Sequence, residues 1–171
     1  MTSFMIDEAV NKRTPLKWTS YDTCPFCNII ANKLPAFRVL ETDMVIAFLD
    51  ILPIRPGHTL VVPKMHCSNL SDLPSDYSRA VGEALSTIAN AITRGMTINL
   101  NVVCNQGYGQ AVPHVHFHMV PAPRTVEPPS TQSPTNRSMN HHEMVMSEYH
   151  RREELDEDTG RNMADRIRSR L

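Results

Sequence analysis

The segment 114–120, with the sequence His-Val-His-Phe-His-Met-Val, constrains the fold more than any other part of this chain of 171 residues. Histidine and apolar residues alternate along it, and successive side chains of a β-strand point to opposite faces. His114, His116 and His118 therefore share one face, and the apolar residues between them share the other. We expect the apolar face to lie on the core and the imidazoles to line a polar site, because buried imidazoles need hydrogen-bond partners.

The surrounding sequence predicts a domain of the α+β class. Four other short segments are rich in β-formers and are predicted strands: residues 37–41, 44–49, 58–63 and 97–104. Between Ser75 and Arg94 the apolar residues recur three or four positions apart, which is typical of a helix with one apolar face. We expect Ser75 or Asp76 to cap this main helix and Gly95 to end it.

Composition divides the chain into four segments. Residues 1–20 show no clear periodicity and are predicted to form an arm, and residues 21–123 form the domain. Residues 124–150 are predicted to form a flexible loop, since this part of the chain is dense in Pro, Ser, Thr and Asn. Residues 151–171 are predicted to form a C-terminal helix, because acidic residues precede arginines there and this order suits the helix dipole. Gly160 is expected to weaken the helix.

Charge and hydropathy argue against two classes of partner. The formal net charge is −1 and no polybasic stretch is present, so we expect no nucleic-acid partner. No apolar run approaches the roughly 20 residues that cross a bilayer, and residues 1–20 lack the apolar centre of a secretory signal. We therefore expect no membrane partner and an intracellular protein of the cytoplasm, with the nucleus as a second compartment.

A loop of glycines and amides precedes the histidine segment. It contains Asn105, Gly107, Gly109 and Gln110, whose backbone N–H groups and amide side chains can hold a phosphate. A neutral imidazole is a competent nucleophile toward phosphorus. A structural row of hydrogen-bonded histidines, or adventitious metal binding, is the alternative interpretation, and the neighbouring loop favours phosphoryl chemistry.

Taken in order, these motifs resemble the histidine-triad superfamily. The pattern His-φ-His-φ-His-φ-φ, with φ apolar, fits every position of segment 114–120. Four segments upstream follow in the family's order: Cys-Pro-Phe-Cys-Asn-Ile-Ile, Val-Ile-Ala-Phe-Leu-Asp-Ile, Pro-Gly-His-Thr-Leu-Val-Val-Pro-Lys-Met-His and Asn-Gln-Gly. The resemblance covers roughly residues 22–123. It implies an antiparallel sheet with a main helix and a C-terminal helix, and a homodimer.

The resemblance also implies catalytic roles. His116 matches the nucleophile that becomes nucleotidylated, His118 a supporting group beside the phosphate, and His58 an upstream histidine of the same site. Asn105 and Gln110 match the amides that hold the phosphate region. Neutral amide donors can stabilise phosphoryl charge without a metal.

Further positions match the family's nucleotide-binding residues. Asp50 matches the carboxylate that binds the ribose hydroxyls, and the alternative is a turn carboxylate at a strand end. Five apolar residues match the base pocket and are also ordinary core residues: Phe26, Ile29, Leu34, Phe48 and Ile51.

The pair Cys24 and Cys27 alone is ambiguous between zinc binding, redox chemistry and packing. With His66 and His114 it matches the Cys₂His₂ set of the zinc-bearing Hint-like branch of the superfamily. The implied zinc is structural, because four protein ligands leave no position for substrate. Buried thiols without metal are the alternative.

The implied function is hydrolysis or transfer at the α-phosphate of a purine nucleotide or nucleotide conjugate, through a nucleotidyl-histidine intermediate. Nucleoside phosphoramidate or monophosphoryl hydrolysis is the first hypothesis, and dinucleoside polyphosphate hydrolysis is the alternative. A nucleotide-binding regulatory protein is the alternative of another class. Ala111 departs from the Ser or Thr of many members, which removes a hydroxyl that assists the leaving group, and Pro113 removes one backbone donor beside the histidines.

Overall fold

The structure is a computed structural model, and it describes residues 21–96, 99–107, 109–122, 150 and 152–171. The predicted arm, residues 1–20, lies outside the described residues. So does the predicted loop, residues 124–150, apart from His150.

An antiparallel sheet forms the centre of the described part of the chain. Its strands are β1 (Arg38–Glu41), β2 (Val45–Leu49), β3 (Thr59–Pro63), β4 (Leu100–Cys104) and β5 (Phe117–Pro121). The order across the sheet is β1-β2-β3-β5-β4, and all neighbours are antiparallel. The predicted α+β class and antiparallel sheet are confirmed.

In the described residues, three α-helices accompany the sheet: α1 (Pro25–Ile30), α2 (Ser75–Gly95) and α3 (Glu157–Arg168). The main helix α2 ends at Gly95 as predicted. Its predicted cap is wrong, because Pro74 holds the N-cap position without a side-chain hydrogen bond and Ser75 is already helical. Among the residues described, no helix has the length and apolar character needed to cross a membrane.

The sheet has a different neighbour on each face. Directly opposed residues of antiparallel strands share a face. Met119 lies opposite Thr59 and joins the main core under α2 and α3. His118 lies opposite Leu60, on the face where a smaller cluster packs under α1. The histidines therefore lie on the face of the sheet away from the main helix.

The C-terminal helix begins at Glu157, later than the predicted start at residue 151. The Asp156 carboxylate accepts a hydrogen bond from the Thr159 N–H at 2.9 Å, which is an N-cap. Just before it, the Leu155 N–H donates to the Ile51 carbonyl at 2.8 Å, so this backbone pairs with a loop instead of a helix. Residues 152–156 are thus a non-helical connection, here called the C-terminal strap.

Gly160 allows α3 to approach β1. The residue is buried, and a Cβ atom built on it would lie 2.4 Å from a ring carbon of Phe37. Any larger residue at this position meets the aromatic ring. Gly160, expected to weaken the helix, is what lets the helix pack closely on the sheet.

Candidate active site

The histidine segment enters the sheet later than predicted, because β5 begins at Phe117 and not at His114. The Val115 N–H donates to the Cys67 carbonyl at 2.7 Å, outside the sheet. The Pro63 carbonyl accepts a hydrogen bond from the His114 ring at 2.8 Å. Pro113, the residue before His114, has no N–H to donate to a neighbouring strand. The Val115 N–H and the His114 ring thus bond to partners outside the β5 ladder.

The predicted alternation of faces nevertheless holds. Val115 is buried in the main core under α2. The rings of His114 and His116 both contact Phe26 of α1, with centroid separations of 5.9 and 5.1 Å. The His116 and His118 rings lie 4.8 Å apart. All three imidazoles therefore lie on one side of the segment.

His116 carries its reactive lone pair on Nε2. Its Nδ1 lies 2.7 Å from the His114 carbonyl oxygen, which can only accept, so Nδ1 carries the proton. Burial lowers the pKa of His116, against opposing effects of that carbonyl and of Asp50. The neutral ring thus has a basic nitrogen available for attack.

His58 and His118 form a directed hydrogen-bonded pair. The Ile54 N–H donates to His58 Nδ1 at 3.2 Å, which places the His58 proton on Nε2. That Nε2–H donates to His118 Nδ1 at 3.0 Å. The His118 proton is therefore on Nε2, which makes this nitrogen a hydrogen-bond donor.

Burial keeps this pair neutral. It lowers the pKa of His58 from 6.5 to about 3, and electrostatic interactions with Arg152 and with the ring of His116 add to the effect. It also lowers the pKa of His118 to about 3, with further contributions from His116, His58 and Arg152. Near pH 7 both rings act as neutral donors and acceptors.

Asp50 lies at the end of β2, beside His58. One carboxylate oxygen accepts from the Leu52 N–H at 2.9 Å, and the other lies 3.5 Å from His58 Nδ1. Burial raises the pKa of Asp50, while the Leu52 N–H, Arg152 and His116 oppose the rise. The hydrogen bond from the Leu52 N–H is the contact expected of a turn carboxylate at a strand end. The ribose-binding role of Asp50 stays a prediction.

Gln110 fixes the glycine loop through its side-chain amide. It donates to the Ser68 carbonyl at 2.8 Å and accepts from the Gly107 N–H at 2.9 Å. Gly107 and Gly109 have backbone φ angles of +66° and +68°, a conformation that residues other than glycine rarely adopt. Asn105 lies beside Gly109. The phosphate roles of Asn105 and Gln110 stay predictions.

The structure brings together three of the five predicted base-pocket residues. Phe26, Ile29 and Phe48 are buried in the cluster under α1, where the two phenylalanine rings meet edge to face. Leu34 and Ile51 are 44% and 52% exposed and lie outside that cluster. All five assignments to a base pocket stay predictions.

The four predicted metal ligands lie together at the other end of the histidine segment. Cys24 Sγ is 3.4 Å and Cys27 Sγ 3.6 Å from His114 Nδ1, and Cys27 Sγ is 3.2 Å from His66 Nδ1. All four ligand atoms lie within 4.8 Å of one another. Zinc bonds of about 2.0–2.3 Å in a tetrahedron separate ligand atoms by roughly 3.3–3.8 Å, so the set fits zinc.

The protonation of these groups also suits a cation. His114 donates from Nε2 to the Pro63 carbonyl, which leaves the Nδ1 lone pair facing the thiols. Burial and the neighbouring Cys24 raise the pKa of Cys27 to about 12, so thiolates here require a compensating positive charge. The cluster is therefore compatible with structural zinc.

Several groups that shape this site are absent from the sequence analysis. The Ile54 N–H and the Pro63 carbonyl fix two tautomers, and backbone groups leave no sequence signal. Gln106 anchors the glycine loop through bonds to the Ser71 N–H and hydroxyl. Arg152, on the C-terminal strap, acts on the histidine pair through its charge. Contacts between residues this distant in the chain follow only from the fold.

Comparison with known proteins matches this arrangement to one family. A family model described as the HIT domain matches residues 31–125. The chain is 40% identical over 101 residues to an adenosine 5'-monophosphoramidase of Saccharomyces cerevisiae, covering 57% of this chain and 61% of that protein.

Two solved structures share the fold. A Hit-like protein of Bartonella henselae superposes with a TM-score of 0.68 at 29% identity, over 88% of this chain and 98% of that one. A zinc-bound histidine triad family protein of Mycobacterium smegmatis gives a TM-score of 0.64 at 25% identity, over 88% of this chain and 94% of that one.

Proposed function

This chain belongs to the HIT-domain family, and on that premise we propose that it hydrolyses nucleoside phosphoramidates or related nucleoside monophosphoryl conjugates, with His116 as the nucleophile. The hydrogen bond from His116 Nδ1 to the His114 carbonyl carries this proposal. It leaves the Nε2 lone pair for phosphorus and lets the carbonyl stabilise the positive charge that the ring acquires. The identity to a yeast adenosine 5'-monophosphoramidase supports the substrate class.

The reaction proceeds in two steps at the α-phosphorus. His116 Nε2 bonds to phosphorus while the bond from phosphorus to the leaving nitrogen or oxygen breaks. Water then attacks the same phosphorus, releases the nucleoside monophosphate and restores the imidazole. The His118 Nε2–H, held by the bond from His58, is the donor for phosphate oxygen or leaving atom.

We propose that Cys24, Cys27, His66 and His114 hold a structural zinc ion. When bound, the ion ties α1 to the segment that carries His116 and takes no part in the chemistry. Support comes from the ligand spacing and from the zinc-bound relative of known structure.

We also propose that the protein forms a homodimer through β4. This strand lies at the edge of the described sheet, and Val102 on it is 47% exposed. An unprotected edge strand is a ready site for pairing with a second copy.

The experiment that tests the function is a substrate panel at equal concentration with wild type and His116→Ala. Adenosine phosphoramidate is expected to turn over fastest among phosphoramidates, aminoacyl adenylates and dinucleoside polyphosphates. His116→Ala is expected to lose turnover while keeping its thermal transition, and a radiolabelled nucleotide should label His116 in the wild type at early times. Near-normal activity of His116→Ala refutes the mechanism, and preference for dinucleoside polyphosphates favours the alternative substrate class.

A further inference from the structure

Residues 67–71, here called the support segment, lie beside the part of the chain that precedes β5. The Cys67 carbonyl accepts a hydrogen bond from the Val115 N–H at 2.7 Å. The Ser68 hydroxyl donates to the Pro113 carbonyl at 3.1 Å. The first two residues of the support segment therefore hold the backbone just before β5.

The support segment also holds both ends of the glycine loop, residues 105–110. At one end, the Ser68 carbonyl accepts from the side-chain amide of Gln110 at 2.8 Å. At the other end, the Ser71 N–H donates to the side-chain oxygen of Gln106 at 3.1 Å, and the Gln106 amide nitrogen donates to the Ser71 hydroxyl at 3.2 Å. Later residues of the support segment thus meet earlier residues of the loop, in an antiparallel order.

The support segment is itself fixed at both of its ends. Nδ1 of His66, the residue before it, lies 3.2 Å from Cys27 Sγ, and Cys67 packs against the main core. At the far end, the short 3₁₀ helix Leu70–Asp72 leads into Leu73, which is buried in the main core. The segment is therefore a rigid base on which a loop can be held.

The glycine loop needs such a base because its own backbone is readily deformed. Gly107 and Gly109 both have positive φ, and a Cβ atom built on Gly107 would meet nothing within 4 Å. Glycine loses more conformational freedom on folding than any other residue, so contacts from outside the loop must hold its shape. In the proposed reaction this loop faces the phosphate, and hydrogen-bond donors stabilise developing charge best when they are oriented in advance.

We propose that Gln106 and Ser71 are positioning residues for the proposed reaction. Their paired hydrogen bonds hold the end of the glycine loop next to β4 in the conformation that binds the phosphate, and neither residue contacts the substrate. The proposal rests on the proposed function. One observation carries it: the Gln106 side chain bonds to both the main chain and the side chain of a single residue, 35 positions earlier, on the support segment.

The test measures binding of AMP and adenosine by calorimetry for the full chain and three variants. Gln106→Ala removes both bonds, Ser71→Ala removes the bond to the hydroxyl, and Ser71→Thr keeps the hydroxyl. We expect Gln106→Ala to weaken AMP binding by about tenfold, the effect of two exposed hydrogen bonds of ordinary strength, and to leave adenosine binding unchanged. Ser71→Ala should weaken AMP binding by about threefold, and Ser71→Thr should match wild type.

Asn69→Ala is the matched control. The Asn69 amide donates to the Asp72 carboxylate at 2.8 Å, so this substitution removes an exposed hydrogen bond that joins two residues of the same turn. We expect its AMP binding to equal that of wild type. In the Gln106→Ala background, Ser71→Ala should cause no further loss, because the bond that it removes is already gone. All variants should keep the thermal transition of wild type, since both positions are exposed.

Equal weakening of AMP and adenosine by Gln106→Ala overturns the proposal, because it indicates general disturbance of the site. Unchanged AMP binding in Gln106→Ala overturns it as well, and so does the same loss in Asn69→Ala or additive losses when Gln106→Ala and Ser71→Ala are combined. In each of these cases the proposed hydrolase function stands if wild type turns over adenosine phosphoramidate through His116. A wild type that binds adenosine but not AMP overturns both.

Discussion

Gly160→Ala is expected to destabilise the protein, against the ordinary effect of alanine in a helix. An alanine in place of glycine inside a helix contributes about 1 kcal/mol of stability. At Gly160 the new Cβ would lie 2.4, 2.5 and 2.6 Å from three ring carbons of Phe37, whereas carbon atoms normally make contact at about 3.5–4.0 Å. The ring or the helix must shift by about 1 Å, and overpacking of this kind costs about 1–3 kcal/mol. Because Phe37 is partly exposed, its ring can move toward solvent, which keeps the cost of overpacking in the lower part of this range. We therefore expect the free energy of unfolding to fall by about 1 kcal/mol.

The assay is urea unfolding, read as a lower midpoint at an unchanged slope. Gly82→Ala on α2 is the matched control, since a Cβ atom there meets nothing within 4 Å and should stabilise by about 0.5–1 kcal/mol. In a Phe37→Ala background, Gly160→Ala should become stabilising too. If Gly160→Ala stabilises the otherwise unaltered protein as much as Gly82→Ala does, then α3 does not pack on Phe37 as described.

Three further outcomes are expected. Purified protein should carry about one zinc ion per chain by elemental analysis, and Cys24→Ser should lose both the metal and thermal stability; full stability of a metal-free wild type would support buried thiols instead. Asp50→Asn should weaken a ribonucleotide by about 1–3 kcal/mol and its 2′-deoxy analogue by less, and equal losses would leave Asp50 as a turn carboxylate. The pKa values of His58 and His118 lie below their unfolded value of 6.5, at about 3, so their contribution to stability is complete above pH 6.5 and is lost as the pH falls toward 3. Urea unfolding at a series of pH values should show a decline of about 1.4 kcal/mol per pH unit for each histidine, and a reduced decline in His118→Asn; an equal decline in both proteins contradicts the assignment.

Local patterns predicted most of the elements but not all of their ends. The apolar spacing of α2 and the alternation of His114, His116 and His118 are properties of the chain itself, and both hold in the fold. The start of β5 was predicted too early, because the Val115 N–H bonds to Cys67, a distant residue, and not to the sheet. The start of α3 was also predicted too early, since pairing of Leu155 with Ile51 competes with the helix.

The sequence by itself determined the family and the face shared by the three histidines, because these follow from residue type and from spacing within motifs, and the resemblance to that family implied the four candidate zinc ligands. Only the tertiary structure decided which nitrogen of each histidine carries the proton, since the deciding partners are backbone groups such as the His114 carbonyl and the Ile54 N–H. The same holds for Arg152, which lies 94 positions after His58 and whose charge lowers the pKa of that ring only because the strap folds back on the loop. Charge acts through space and not along the chain, so no local pattern could have revealed this arrangement.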